Sequence, residues 1–289
     1  MIAIISLSGE SELTKKDLRN GFIVTFDDYV CPQIFVELIS TRLLSSGKES
    51  VRIVGRVILL LLDKNINRVL VAPAFVKHFP VFIEMLNENS IFIVCADEIY
   101  RRFSCNMLDS IFRNGYSGGI LVSADSDYIE DFLLDFISDY TSKICIFGDD
   151  YHSLKSAKIN MLTGNSIVFS SDKDILNDYP LVLCFKNADA MAVTDLKAVI
   201  LNFTPLSVTS GVRRRSLVFK RICFSVPPHF YQSRASRAGI DFSDFLESCL
   251  FESDALIFLS KIEVKGMYCG DIFYSADEIA ASANKLWHH

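Results

Sequence analysis

From Phe22 to Tyr140 short, nearly unbroken apolar runs alternate with stretches long enough for three or four helical turns, and that alternation leaves few architectures open. The runs FIVTF (22–26), VRIV (51–54), RVLVA (68–72), IFIVCA (91–96) and GILVS (119–123) are rich in β-branched and aromatic residues. Apolar at successive positions, they predict strands covered on both faces rather than strands with one wet face. Between them, Cys31–Leu44, VILLLLDK (57–64), 75–87, 98–113 and Tyr128–Tyr140 read as helices. Strands and helices taken in turn predict a parallel sheet sandwiched by helices. The first residues, IAIISL, are expected as an added edge strand or cap, followed by a polar stretch at Ser8–Asn20 with room for a short helix.

The second half continues the beat. KICIF (143–147), LVLCF (181–185), AVILNF (198–203), RICFSV (221–226) and DFLES (244–248) read as strands, and NSIVFSSDKDILNDY (165–179) as an inserted strand and turn. Helices are expected near 152–163, 187–195, 229–238, Asp254–Lys265 and Ser275–Leu286. Two openings match: FIVTFDDY leads to Asp27-Asp28 and KICIFGDDY to Asp149-Asp150, about one small domain later. The expectation is an α/β chain of two flavodoxin-like, doubly wound parallel-sheet domains in tandem, 1–141 and 142–289.

Composition narrows the function classes. Half of the 289 residues are hydrophobic and 22% charged, enough apolar side chain for real cores. No apolar run approaches the roughly 18–20 residues of a membrane span, and the opening MIAIISLSGESEL lacks the basic start of a signal peptide. The eight cysteines form no CxxC pair and several fall in apolar runs, which points to structural thiols in a reducing, bacterial-type cytoplasm. A net charge of −6 argues against broad nucleic-acid binding without a partner. Arg213, Arg214 and Arg215 with Lys220 and Arg221 form the one dense basic cluster, a candidate patch for DNA, a nucleotide messenger or an acidic partner, or simply a solvated face. The histidines show neither HxH nor HExxH spacing, so no metal site is expected from them. SADSD (123–127) reads as a helix cap. GDDYHS lacks the glycines that let a backbone approach a pyrophosphate.

On these residues the chain resembles the receiver domain of bacterial response regulators. The resemblance sets Asp149 and Asp150 in the place of that family's Mg²⁺-holding acid pair, Asn202 of AVILNFTPLSVTSG at the phosphoacceptor, Ser225 at the hydroxyl position and Glu247 at the lysine. SRAGIDFSDFLES is similar to the family's last strand, and KGMYCGDIFYSADEI to the exit of the LuxR/NarL class, whose helix-turn-helix is not found here. In the first half Asp27, Asp28, Ala72 and Cys95 fall at the corresponding places, with Ser123 or Ala124 at the lysine. An amide or alanine is no nucleophile toward an acyl phosphate, and a carboxylate in place of the lysine repels the phosphoryl group. The resemblance therefore implies two pseudo-receivers without metal, cofactor or catalysis. They would regulate through a protein partner (a response regulator or other regulatory protein) or self-association, by way of Tyr100–Phe112 with Tyr128–Phe136 and Tyr231–Arg237 with Leu256–Val264. The competing expectation is a small-molecule- or nucleotide-binding Rossmann-like enzyme with a site between its halves.

Overall fold

The computed structural model describes residues 1–8, 13–27, 33–40, 47–96, 98–123, 143–148, 167–172, 175, 178–185, 198–203, 217–250 and 262–287. Its contacts divide the chain into two units that do not follow the midpoint: Met1–Ala96 with Val226–Ile262, and Asp97–Ser225 with Glu263–His289. A division after residue 141 would separate two strands, Ile120–Ser123 and Ile144–Phe147, that pair side by side in one sheet.

The first unit holds a five-stranded mixed sheet in the order β2-β3-β1-β4-β5. Its strands are β1 (Ile2–Ser8), β2 (Phe22–Asp27), β3 (Gln33–Ile39), β4 (Arg68–Val71) and β5 (Phe92–Ile93). Rather than an edge or cap, β1 is the central strand, parallel to β3 on one side and β4 on the other. Ile2, Ala3, Ile4 and Ile5 are all buried, which is why this run carries no alternation. Within the helix expected at 31–44, Gln33–Ile39 is instead β3, paired antiparallel with β2 (Phe22↔Leu38 to Asp27↔Gln33). In QIFVELI the polar Gln33 and Glu37 are four residues apart, as on a helix face, but the run is short, and its β-branched and aromatic residues suit a strand covered on both faces. The two Asp-Asp openings thus differ in pairing: the strand of the first, β2, is antiparallel to the next strand, whereas Ile144–Phe147 of the second is parallel to Ile167–Ser170.

Around this sheet, α1 (Lys15–Asn20) starts at a capping box. Thr14 Oγ1 accepts from the Asp17 amide at 3.2 Å and Asp17 Oδ2 accepts from the Thr14 amide at 3.0 Å. Helix α2 is one element from Gly47 to Asp63, absorbing the strand expected at 51–54. Ser50, Ile53, Val54, Val57, Ile58 and Leu61 are buried on its inner face, the three-and-four spacing of an amphipathic helix. Prolines at the first position open α3 (Pro73–His78) and α4 (Pro80–Glu88), breaking the single helix expected at 75–87. The later segment contributes α6 (Pro228–Tyr231), α7 (Arg234–Arg237) and α8 (Phe242–Cys249). In α8 the expected strand DFLES is helical: Asp241 caps it by accepting from the Ser243 amide at 2.8 Å, and Phe245 through Cys249 are buried. Asp244 Oδ1 also accepts from the Ala96 amide at 2.9 Å, which ties the two segments of the unit together.

The second unit holds a six-stranded, all-parallel sheet in the order β11-β10-β9-β6-β7-β8. The strands are β6 (Ile120–Ser123), β7 (Ile144–Phe147), β8 (Ile167–Ser170), β9 (Leu181–Cys184), β10 (Val199–Asn202) and β11 (Leu217–Phe219). Counted in chain order they run 3-2-1-4-5-6, not the 2-1-3-4-5 of a flavodoxin-like sheet. Of the inserted strand and turn expected at 165–179, Ile167–Ser170 is indeed a strand, β8, at the edge of the sheet. Leu121, Cys145, Val182, Cys184 and Ile200 form a core on one face of this sheet. A small antiparallel sheet, β12 (Ile222–Phe224), β13 (Val264–Cys269) and β14 (Ile272–Ser275), completes the unit with α5 (Glu98–Arg113) and α9 (Ala276–Trp287). The stretch read as a LuxR/NarL-type exit is therefore the β13–β14 hairpin, and residues 264 and 265 are strand, not the end of a helix. Tyr100 and Phe103 of α5 lie against the Phe224 ring at 6.5 and 5.1 Å, so this face of α5 is filled from within its own unit. Among the described residues no helix is long and apolar enough to cross a membrane.

Candidate functional site

In an open parallel sheet, strand order reverses where one strand's connection leaves to the left and its neighbour's to the right, and a crevice opens at the carboxyl ends of those two strands. Here the pair is β6 and β9: β6 leads to β7 on one side and β9 to β10 on the other. The parallel register brings Ser123, Cys184 and Asn202 into one row across the carboxyl ends of β6, β9 and β10. Because paired residues of neighbouring strands share a face, these three side chains lie on the face of the core cluster, at its carboxyl end. They are buried, at 6, 0 and 1% exposure.

Beyond the row the ladder continues for one more step. The Phe185 amide donates to the Ser123 carbonyl at 2.7 Å and the Phe203 amide to the Cys184 carbonyl at 2.9 Å. The rings of Phe185 and Phe203 stack at 4.9 Å, a rigid apolar floor for the strand ends. Burial pushes the Cys184 thiol well up, so it is held protonated rather than as a thiolate nucleophile. The described row thus places a hydroxyl, an amide and a thiol, none with a fixed charge, buried at the carboxyl end of the core face.

The positions expected to form receiver-type sites are spread out. Asn202 ends β10, while β7, whose following residues include the acid pair, is separated from β10 by β9 and β6. Three strand spacings amount to about 14 Å, whereas the receiver order sets the first and third strands side by side. Ser225 follows β12, where its amide donates to the Glu263 carbonyl at 2.8 Å and its Oγ accepts from the Glu263 amide at 2.9 Å. Glu247 is 4% exposed in the middle of helix α8, in the other unit. In the first unit Asp27 ends the antiparallel edge strand β2. Ala72 is buried after β4, donating its amide to the Ile5 carbonyl at 2.9 Å, and Cys95 is exposed beyond β5. Lys220 and Arg221 stand between β11 and β12. The Lys220 amide donates to the Tyr268 carbonyl at 2.8 Å, and the Arg221 guanidinium lies 5.1 Å from the Tyr268 ring centroid. Asp28, Asp149, Asp150, Arg213, Arg214 and Arg215 lie outside the described residues.

Sequence reasoning placed Ser123 only as a helix cap or a substitute for lysine, and passed over Cys184 as one hydrophobe among others. The available signal was a polar residue closing each of two apolar runs, ILVS and VILN. Among the described residues no group of three or more His, Cys, Asp or Glu is placed to hold a metal ion. No protein-family model matches the sequence, and no curated protein is significantly similar to it.

Proposed function

We propose that the chain is a small-molecule-binding α/β protein that takes a nucleoside or nucleotide at the carboxyl edge of its six-stranded sheet. The observation that carries this reading is the polar row Ser123–Cys184–Asn202 at the switch between β6 and β9 of an all-parallel 3-2-1-4-5-6 sheet. This is the Rossmann order, and neutral donors and acceptors at its switch point suit a base or ribose better than a bare phosphate. The segment that follows β7 begins Gly148-Asp149-Asp150, and an acid after the second strand is where this order holds ribose hydroxyls. The parallel part of the first sheet, β3-β1-β4-β5, runs 2-1-3-4 in chain order, which supports a flavodoxin-like relation for that unit with β2 added. A regulator built of two pseudo-receivers would gather its relict site positions at one strand edge. The scatter of Asn202, Ser225 and Glu247 favours ligand binding over that reading.

Saturation-transfer NMR on the full chain with adenosine, guanosine, cytidine and uridine and their 5′-monophosphates tests it. At least one nucleoside is expected to bind, and Ser123→Ala is expected to weaken it about 3–10-fold, the value of one neutral hydrogen bond. Absence of binding across the panel, or affinity untouched by Ser123→Ala, would sink the proposal.

A further inference from the structure

The three-stranded sheet β12-β13-β14 of the second unit has two unlike faces. Ile222 and Phe224 of β12 and Met267 of β13 are buried on one of them. Alternation along the strands sends Cys223, Gly266, Tyr268 and Phe273 to the other. Side-chain contacts agree with that placement. The Cys223 thiol lies 3.9 Å from the Tyr268 hydroxyl, and a Cβ built on Gly266 would come within 2.9 Å of the Phe273 ring.

On this second face Tyr268 and Phe273 are paired in register, with ring centroids 5.8 Å apart. Phe273 is 42% exposed at the edge strand, so its ring is open to a partner. On the other side of Tyr268 the ladder bulges. The Lys220 amide donates to the Tyr268 carbonyl at 2.8 Å and the Tyr268 amide to the Arg221 carbonyl at 3.1 Å, so two cationic residues oppose one aromatic. The Arg221 guanidinium lies 5.1 Å from the Tyr268 ring centroid, which completes a row Arg221–Tyr268–Phe273 across three strands. Arg221 is exposed and has no carboxylate partner among the described residues. It ends the basic run RRRSLVFKR (213–221), five cations with no acid among them in a chain of net charge −6. Asp271 stands in the hairpin turn, beyond the pair Cys269 and Ile272.

We propose that this face binds single-stranded nucleic acid, with bases stacked on Phe273 and Tyr268 and Arg221 meeting the adjoining phosphate. Aromatic side chains side by side on neighbouring strands offer successive bases a platform, and every base has a π-face to lay on it. The local positive charge supplies the complement to a phosphate, while the negative charge of the whole chain opposes a long polyanion. Binding therefore rests on stacking of a few bases rather than on a phosphate track. The face is separate from the carboxyl edge of the six-stranded sheet and does not depend on it.

The test uses the full chain and fluorescein-labelled oligo(U), oligo(A) and oligo(dT) of about ten nucleotides, followed by anisotropy, with a duplex of the same length as control. Single strands are expected to bind and the duplex at least tenfold more weakly. Affinity should fall only about three- to sevenfold between roughly 50 and 200 mM NaCl, the salt dependence of one or two phosphates. Phe273→Leu keeps an apolar side chain but removes the ring, and is expected to weaken binding about fivefold or more, whereas Phe273→Tyr should retain it. Arg221→Gln should weaken binding and flatten the salt dependence. Preference of RNA over DNA would assign the natural ligand as RNA, and equal binding would leave the platform reading base and phosphate alone. Duplex bound as tightly as single strands, no binding at low salt, or binding unmoved by both Phe273→Leu and Arg221→Gln would overturn the proposal. A dimer in sedimentation that Phe273→Leu dissociates would give the face to a second copy of the chain instead.

Discussion

Replacing Asn202 by aspartate changes one heavy atom and no volume, so its consequences are almost purely electrostatic. At 1% exposure the new carboxyl would sit where ionisation is strongly opposed by the loss of water. Full burial raises carboxyl pKa values by about 3–5 units, and each unit is worth about 1.4 kcal/mol. With the native pKa raised above the unfolded value near 3.9, the folded state binds the extra proton, so stability relative to wild type falls as pH rises between the two. Asn202→Asp should thus cost about 1.5 kcal/mol at pH 5 and about 4–6 kcal/mol at pH 8. Urea unfolding of both proteins across that range measures it, read from the fluorescence of the single tryptophan, Trp287, on α9 of the same unit. A difference below about 1 kcal/mol that does not change with pH would refute the burial argument. The same variant restores the receiver family's phosphoacceptor type. With two strands between β10 and β7, incubation with acetyl phosphate and Mg²⁺ should add no phosphoryl mass, and a gain would refute the placement of Asn202 away from the acids.

Two further outcomes follow from local geometry. A Cβ at Gly266 would press into the Tyr274 carbonyl across the β13–β14 ladder and approach the Phe273 ring at 2.9 Å. Gly266→Ala should therefore cost at least about 3 kcal/mol and lower the melting temperature by about 6–12 °C, as circular dichroism would show. In the native protein iodoacetamide should label exposed Cys95 well before Cys145, Cys184 or Cys249, mapped by peptide mass. Burial pushes the Cys145 thiol up to about 11, against 9 when unfolded. The unfolded chain therefore loses that proton first, and this contribution to stability is complete below pH 9 and declines toward pH 11; a Cys145→Ala variant should show a shallower alkaline decline in the same urea assay.

The strands β4, β6, β7, β9 and β10 were legible because burial on both faces writes itself as an unbroken apolar run. Helix α5 was legible to the residue, since Ile99, Phe103, Met107 and Ile111 repeat at helical spacing. The run QIFVELI was misread because a fully covered strand and a buried helix share the same apolar text, and only its length and β-branching favoured the strand. Partner choice was hidden altogether. Nothing local in Ile2–Ser8 says that it lies between β3 and β4, and the matching Asp-Asp openings suggested a repeat that pairing does not honour. The candidate sites divide the same way. Asn202 stood out as an amide ending an apolar strand, whereas Arg221 takes its meaning from the Tyr268 ring on the neighbouring strand.

The interleaving of the two units sets a schedule for synthesis. The sheet β1–β5 has been synthesised by residue 96, yet α8, which packs on β4, is more than a hundred codons away. At roughly 5–20 residues per second the nascent sheet waits on the order of ten seconds without that helix, while most of the second unit is made. A ribosome stalled in that interval holds a chain that neither unit can complete. A gene cut at its midpoint would part the sheet β1–β5 from the α8 segment that packs on β4.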